Sequence, residues 1–214
     1  ALDFYAGNWN SFHSEETGAS GSGPAWWYEA DLYAGLTLSA FDYWTFDAAY
    51  IGYFYPNGSA EDIHELDLTV AFDDSWLWEE YAGFEFALNP YFLAAFEFDN
   101  RGGSNNAYGE FGLEPALTVI ESEDYPVSIS VPMALGFSID DYYADVNTGD
   151  EETFGFFSIG LAASTDLPFI PAEYGAWSAS AGYTFYILNG DAGLNDGDTD
   201  DTNHAAMFGV SMSY

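Results

Sequence analysis

The sequence predicts an all-β fold, an antiparallel up-and-down transmembrane β-barrel of about ten strands. From Tyr28 to Phe98 almost every second residue is apolar, and acidic residues occupy many of the positions between them. Because successive side chains of a β-strand point to opposite faces, one face of such a strand can meet lipid while the other meets water. In addition, no apolar run approaches the ~18 uncharged residues that a transmembrane helix requires, which excludes a spanning helix.

The first half of the chain predicts five strands. An opening strand at 2–10 precedes four segments with apolar residues at even positions, at 28–40, 44–50, 65–72 and 84–98. Asn89 and Pro90 resemble a turn, but the apolar parity continues across them, and neither half of 84–98 reaches the ~9–11 residues that a barrel strand needs. We therefore predict one strand here, with Pro90 at a bulge or at a gap in the hydrogen-bond ladder.

The second half of the chain predicts five further strands, at 111–119, 127–139, 153–165, 176–188 and 206–214. Ten strands is an even number, as expected of a closed up-and-down barrel. No charge falls on the apolar face of a predicted strand, where a basic residue near the bilayer midplane costs ~2–4 kcal/mol and an acid somewhat less. We therefore predict that residues 1–214 form a single outer-membrane β-barrel domain.

The predicted connections alternate in length. The longer loops are 11–24, 56–61, 100–105, 140–152 and 189–203, and the shorter turns are 41–43, 73–83, 121–124 and 167–173. Such an alternation is typical of outer-membrane barrels, although 73–83 is long for a turn, and its Trp76, Trp78 and Tyr81 are expected at the membrane interface. Aromatic residues also gather near both rims, as interfacial belts do. The belt at the long-loop rim is predicted to contain Trp26, Trp27, Tyr53, Tyr55, Tyr108, Tyr142 and Tyr186.

The chain is strongly acidic, with 36 Asp and Glu against a single basic residue, Arg101. This balance excludes a nucleic-acid partner, because phosphate contacts require Lys and Arg. A salt-rich habitat is one explanation for so much acid. A second is an acidic lumen, which favours cations and rejects anions; in a plugged lumen the same acids instead hydrogen-bond to Tyr, Thr and Ser, some of them protonated. The predicted lining is Glu29, Asp31, Asp47, Glu65, Asp67, Glu85, Glu97, Asp99, Glu110 and Glu114.

Two acidic loops place oxygen ligands at the close spacing that calcium loops use, because Ca²⁺ takes six to eight oxygens in a flexible geometry. The candidate metal ligands are Asn195, Asp196, Asp198 and Asp200 in one loop, and Asp145, Asn147 and Asp150 in the other. Neither loop has the downstream Glu of a complete EF-hand loop, and a solvated polar turn explains the same residues. We expect no required cofactor, with Ca²⁺ in the acidic loops as the alternative to a simple turn.

The chain resembles a known family in its first third and in its last strand. The segments Phe4 to Trp9, Tyr28 to Gly35 and Tyr50 to Pro56 are similar to the opening of the TorF-type porins of Gram-negative outer membranes. The alternating segment that ends at Tyr214 resembles the C-terminal insertion signal of outer-membrane barrels. The resemblance implies an outer-membrane porin without catalytic residues. Members of this family often begin with further strands, so that a complete barrel would have twelve.

Three functional hypotheses follow. The first is a bacterial outer-membrane porin that lets small solutes, and cations above all, diffuse through a narrow acidic lumen. The second is a structural cell-surface barrel that forms homo-oligomers through acidic loops bridged by divalent cations, and the third is a soluble all-β sandwich adapted to high salt. We predict no enzyme, because His13, His64 and His204 lie far apart in the sequence and no nucleophile motif accompanies them.

Overall fold

The computed structural model describes residues 1–14, 26–58, 61–83, 86–98, 105–120, 122, 125–194 and 201–213. Within them lie twelve β-strands, the helix α1 at Ser75–Ala82 and a short 3-10 helix at Ala172–Tyr174. The strands are β1 Leu2–His13, β2 Trp26–Ala40, β3 Trp44–Phe54, β4 Ile63–Phe72, β5 Tyr91–Phe98, β6 Ala107–Leu113, β7 Ala116–Ile120, β8 Val127–Ser130, β9 Met133–Asp140, β10 Phe154–Asp166, β11 Ala176–Leu188 and β12 Thr202–Ser213. No helix among the described residues has the length and apolar character needed to cross a membrane.

The strands form one sheet in the order β1-β2-β3-β4-β5-β6-β9-β10-β11-β12, and β7 pairs with β8, which also pairs with β10. The pairings β1–β2, β2–β3, β10–β11 and β11–β12 are antiparallel. This order confirms the predicted antiparallel all-β fold with sequential strands at ten positions. Closure of the sheet into a barrel, and its insertion in a membrane, stay predictions.

Prolines interrupt two of the predicted strands. Pro115 separates β6 from β7, and Pro132 separates β8 from β9, because a proline cannot donate to the hydrogen-bond ladder. The two gaps are adjacent, since the Val131 N–H donates to the Pro115 carbonyl at 2.8 Å. Each pair of short strands therefore occupies the place of one predicted strand, and this accounts for twelve strands where ten were predicted.

The third proline gap lies at Pro90, as predicted. The strand β5 begins at Tyr91, and Asn89 has a positive φ of 48°. On the N-terminal side of the gap, Ala87 forms an isolated antiparallel bridge with Ala116, and the Glu114 N–H donates to the Leu88 carbonyl at 2.8 Å. Strand pairing is therefore present on both sides of Pro90, which is consistent with one interrupted strand.

The connection 73–83 was predicted as a turn, but it contains α1. The helix ends at Gly83, whose φ of 74° is left-handed and whose N–H donates to the Trp78 carbonyl at 3.0 Å; glycine adopts this conformation without strain. At the other end lies Asp74, which is only 5% exposed. Its Oδ2 accepts from Trp78 Nε1 at 2.7 Å, and its Oδ1 accepts from the backbone N–H groups of Leu88 and Asn89 at 2.8 and 2.9 Å. Burial raises the pKa of Asp74, but these hydrogen bonds outweigh burial and leave the pKa below its usual value.

The chain divides into two compact units. The first comprises residues 1–71, 92–110 and 137–154, and the second comprises 72–91, 111–136 and 155–214. In the first unit the rings of Tyr5 and Tyr33 cover Gly35 and Gly7 of the neighbouring strand. In the second unit the ring of Phe156 covers Gly136 in the same way. An aromatic ring thus fills the space above a strand glycine in both units. The predicted single domain 1–214 stays a prediction.

Burial is inverted relative to an ordinary water-soluble fold. Among the described residues no large side chain is fully buried, and the buried hydrophobic residues are Ala49, Ala95, Ala107 and Tyr143. In contrast, Glu65 is only 6% exposed. The predicted apolar face carries its large side chains exposed, including Phe4, Leu32, Leu36, Leu38, Leu66, Leu68, Phe92, Phe111, Leu117, Leu135, Phe185, Phe208 and Val210.

Candidate functional site

A cavity of about 320 Å³ in the first unit brings several predicted acidic residues together. It is built on the face of the sheet opposite the exposed apolar side chains, because its residues have the opposite parity in β4 and β5. Glu29 comes from β2, Glu65 and Asp67 from β4, Glu97 from β5 and Glu110 from β6. Five of the ten predicted lining acids therefore share one cavity.

Tyrosines complete this cavity. The Tyr53 hydroxyl donates to Glu65 Oε1 at 2.7 Å. The Tyr108 hydroxyl likewise donates to Glu110 Oε2. The remaining tyrosines of the lining are Tyr55 and Tyr142. Glu65 and Glu110 thus each accept a hydrogen bond from a tyrosine hydroxyl group. Such a hydrogen bond is stronger to an ionised acceptor than to a neutral one.

These four tyrosines were assigned to the interfacial belt at the long-loop rim, and that assignment is wrong. Tyr53 has the parity of Asp47 in β3, and Tyr108 has the parity of Glu110 in β6, so both point to the acidic face. The register also places Tyr53 opposite Asp31. Parity was therefore the available sequence signal, and proximity to a strand end misled the assignment.

Asp47 is held by a separate set of hydroxyl groups in the first unit. Its Oδ1 accepts from the Tyr5 hydroxyl at 2.7 Å, and its Oδ2 accepts from Thr37 Oγ1 at 2.6 Å. Thr37 lies directly opposite Asp47 in the β2–β3 register. Both oxygens of this carboxyl group therefore accept a hydrogen bond from a hydroxyl group.

Glu65 and Asp67 form the most enclosed acidic pair of the cavity. Both side chains line the cavity, Glu65 is only 6% exposed, and Asp67 Oδ1 is buried without a hydrogen-bond partner. Asp31 Oδ1 is a second buried oxygen without a partner. The described part of the chain contains no Lys or Arg, because Arg101 lies outside it.

Of the other predicted acids, the described residues Asp31, Asp47 and Glu114 do not line this cavity. Glu114 lies in the second unit, where Asn89 Nδ2 donates to its backbone carbonyl at 3.2 Å. Glu85 and Asp99 lie outside the described residues.

The loop 140–152 holds one of the two candidate calcium sequences. Asp145 Oδ1 accepts from the backbone N–H groups of Asn147 and Thr148 at 2.6 and 3.0 Å, and these hydrogen bonds lower the pKa of Asp145. The Asp145 N–H donates to the Asp150 carbonyl at 2.9 Å. This is the geometry of a polar turn closed by its own aspartate.

No group of three or more His, Asp or Glu suited to a metal ion occurs within the described ranges. The second candidate loop, with Asn195, Asp196, Asp198 and Asp200, lies outside them. Calcium binding therefore stays a prediction for both loops.

The fold defines an antiparallel all-β protein with one apolar and one acidic face. Comparison with protein-family models, with curated proteins and with solved structures gives no match. The resemblance to the TorF-type porins therefore stays a prediction from the sequence.

Proposed function

We propose that the chain is an outer-membrane β-barrel that allows passive, cation-selective diffusion of small solutes through a narrow acidic lumen. The observation that carries this proposal is the inverted burial of the sheet. Leu32, Leu36 and Leu38 of β2 are 57%, 49% and 44% exposed, whereas Glu65 on the opposite face is 6% exposed. In water this arrangement leaves apolar surface unburied along a whole strand, which is costly. In a bilayer the acyl chains cover the same surface.

The inverted burial also separates a membrane barrel from the soluble sandwich. A sandwich packs the apolar faces of two sheets against each other and directs its polar faces to water. In that fold Leu66 and Leu68 of β4 would be core residues, but they are 41% and 43% exposed. The exposed apolar face therefore supports lipid contact.

Cation selectivity follows from the charge of the cavity. Five carboxyl side chains line about 320 Å³, and the part of the chain that the structure describes supplies no Lys or Arg. Fixed negative charge in a confined space raises the local cation concentration and repels anions. The tyrosine hydroxyl groups orient the carboxylates without cancelling their charge.

The test is recording in planar bilayers across a salt gradient. We expect small conductance steps with a reversal potential of the sign given by cation preference. Replacing Glu97 and Glu110 by Gln should shift the reversal potential towards zero. Glu173→Gln, at an exposed acid of the 3-10 helix, is the matched control and should leave it unchanged. An inserted, folded barrel without any conductance steps would refute the pore.

A second proposal is a structural surface barrel whose copies associate through acidic loops bridged by divalent cations. The exposed acids Asp141, Asp150 and Glu151 of loop 140–152 support it, since such loops repel one another unless cations lie between them. Chelation of divalent cations should disperse assemblies of the purified protein. Assemblies that keep their size in the chelator would eliminate cation bridging.

A further inference from the structure

Tyrosine rings form a large part of the wall of the acidic cavity. In the sheet, β4 and β5 lie between β3 on one side and β6 and β9 on the other. The central strands β4 and β5 supply Glu65, Asp67 and Glu97. The flanking segments supply the rings, which are Tyr53 in β3, Tyr55 just after β3, Tyr108 in β6 and Tyr142 after β9. The central acids therefore have tyrosines on both sides.

Further aromatic contacts hold the rings on each side of the cavity. Tyr55 meets Tyr28 edge to face, with ring centroids 5.7 Å apart and an interplanar angle of 69°. On the other side, Tyr142 packs against Tyr143 at 5.0 Å and 86°, and against Tyr108 at 5.2 Å and 46°. Tyr143 is 7% exposed, so this second cluster is anchored in the fold. The lining rings are therefore held in place and inclined to their neighbours, as aromatic pairs prefer.

The cavity also has an apolar part. Ile63, Leu93 and Ala95 complete its lining beside the rings, and its volume of about 320 Å³ lies at the small end of the ~300–1,000 Å³ typical of small-molecule sites. A bare metal ion gains nothing from apolar walls, because it binds through oxygen ligands. An organic cation gains twice: its alkyl groups bury apolar surface, and its charge is attracted by tyrosine rings and by carboxylates.

We propose that this cavity binds small quaternary ammonium ions, whose alkyl groups contact the tyrosine rings and whose charge is balanced by the carboxyl groups. A quaternary ammonium ion has no N–H group and needs no free hydrogen-bond acceptor. The hydroxyl groups that already donate to Glu65 and Glu110 are therefore no obstacle to it. Passage of such ions through the lumen rests on the proposed function, whereas binding to the cavity requires no open pore.

Binding is tested by proton NMR titration of choline into the folded protein, in a detergent without a choline head group. We expect the N-methyl signal to move upfield on binding, because protons above the face of an aromatic ring are shielded. Choline should bind at least about tenfold more tightly than its neutral analogue, in which a carbon atom replaces the nitrogen. Equal affinities for the two compounds would overturn the proposed site, because the positive charge would then contribute nothing.

Paired substitutions separate the rings from their hydroxyl groups. Tyr142→Leu removes the ring but keeps an apolar side chain, and it should weaken choline binding by about 3- to 30-fold. Tyr142→Phe keeps the ring and should retain binding. Tyr55→Leu and Tyr55→Phe give the same comparison on the other side of the cavity, and Tyr183→Leu, at an exposed ring of β11 in the second unit, should change nothing. Unchanged binding in both cavity Leu variants, or equal losses in the Leu and Phe variants, would overturn the role of the rings.

Passage is tested separately in planar bilayers, with choline as the only cation on one side of the membrane. We expect currents carried by choline in the unaltered protein and in Tyr183→Leu. Conductance of inorganic cations by a protein that does not bind choline would overturn the ligand class and leave the pore standing. Choline binding by a folded, inserted protein without conductance would instead refute the pore and support the site.

Discussion

Removal of the Asp74 carboxylate should strongly destabilise the protein. Asp74 receives three hydrogen bonds, from Trp78 within α1 and from Leu88 and Asn89 before β5, and it is 5% exposed. Hydrogen bonds to a charged acceptor contribute about 1.5–3 kcal/mol each, and leaving a buried donor unpaired costs about 1–3 kcal/mol. Since these contributions are not additive, we expect Asp74→Ala to reduce the free energy of unfolding by about 3–5 kcal/mol.

The matched control for this substitution is the neighbouring Asp73. Its Oδ1 accepts a single hydrogen bond from the Ser75 N–H at 2.9 Å, and its side chain is exposed. Asp73→Ala should therefore cost about 1 kcal/mol or less. Denaturant unfolding in micelles, followed by tryptophan fluorescence, measures both variants. Equal losses in the two variants, or a loss below about 1 kcal/mol in Asp74→Ala, would contradict the role of this carboxylate.

The pH dependence of the same effect has a definite sign. The folded-state pKa of Asp74 is lowered, so its stabilisation is fully present above the unfolded-state pKa of about 3.9 and is lost as the pH falls through the folded-state value. The stability difference between the unaltered protein and Asp74→Asn should therefore be largest near neutral pH and should shrink in acid. A difference that stays constant from neutral to strongly acidic pH would refute this reasoning.

Three further predictions concern packing, the cavity and the apolar face. Gly35→Ala should reduce the free energy of unfolding by about 1–3 kcal/mol, because the added Cβ would overlap the Tyr5 ring. Gly182→Ala is the control, since the nearest atom to its Cβ is 3.7 Å away, and it should change this free energy by less than about 1 kcal/mol. Equal effects of the two variants in unfolding experiments would contradict this packing. Tyr53→Phe should cost about 1–3 kcal/mol, because it removes a donor to the buried Glu65, and an unchanged unfolding midpoint would show that the hydrogen bond contributes nothing. In vesicles, lipids brominated along the acyl chain should quench the exposed tryptophans more strongly than a water-soluble quencher does, and the opposite order would place the apolar face in water.

The alternation of the sequence predicted the strands because it is a local property of an extended backbone. A strand with lipid-compatible side chains on one face fixes the parity of every residue, and parity placed Glu65 and Glu110 on the same face before their register was known. The proline gap at Pro90 was predictable for the same reason, since the missing N–H group is a property of that residue alone. Those predictions needed no knowledge of distant neighbours.

The helix α1 and the tyrosines of the cavity were missed because both depend on contacts beyond the strand pattern. The segment that forms α1 has eight residues, too few for propensity to decide, and Asp74 is satisfied partly by Leu88 and Asn89, which follow more than ten residues later in the sequence. For Tyr53 and Tyr108, a tyrosine near a strand end fits both a position in the interfacial belt and a position facing the lumen. Only the side of the sheet distinguishes them, and parity had to be given priority over composition.

The tyrosine hydrogen bonds also affect how strongly the acidic residues of the proposed pore would bind a cation. Tyr53 and Tyr108 donate to carboxyl groups of the cavity, so in the proposed pore a permeating ion would meet oxygens that already have one partner. Such oxygens attract the ion through their charge but do not replace its full hydration shell. Low conductance combined with clear cation preference is therefore the expected outcome.

Replacing both Tyr53 and Tyr108 by Phe should release the carboxyl groups and strengthen cation binding. Divalent cations should then block the single-channel currents at a lower concentration than in the unaltered protein. Unchanged block in that double variant would show that the tyrosines do not limit access to the acids.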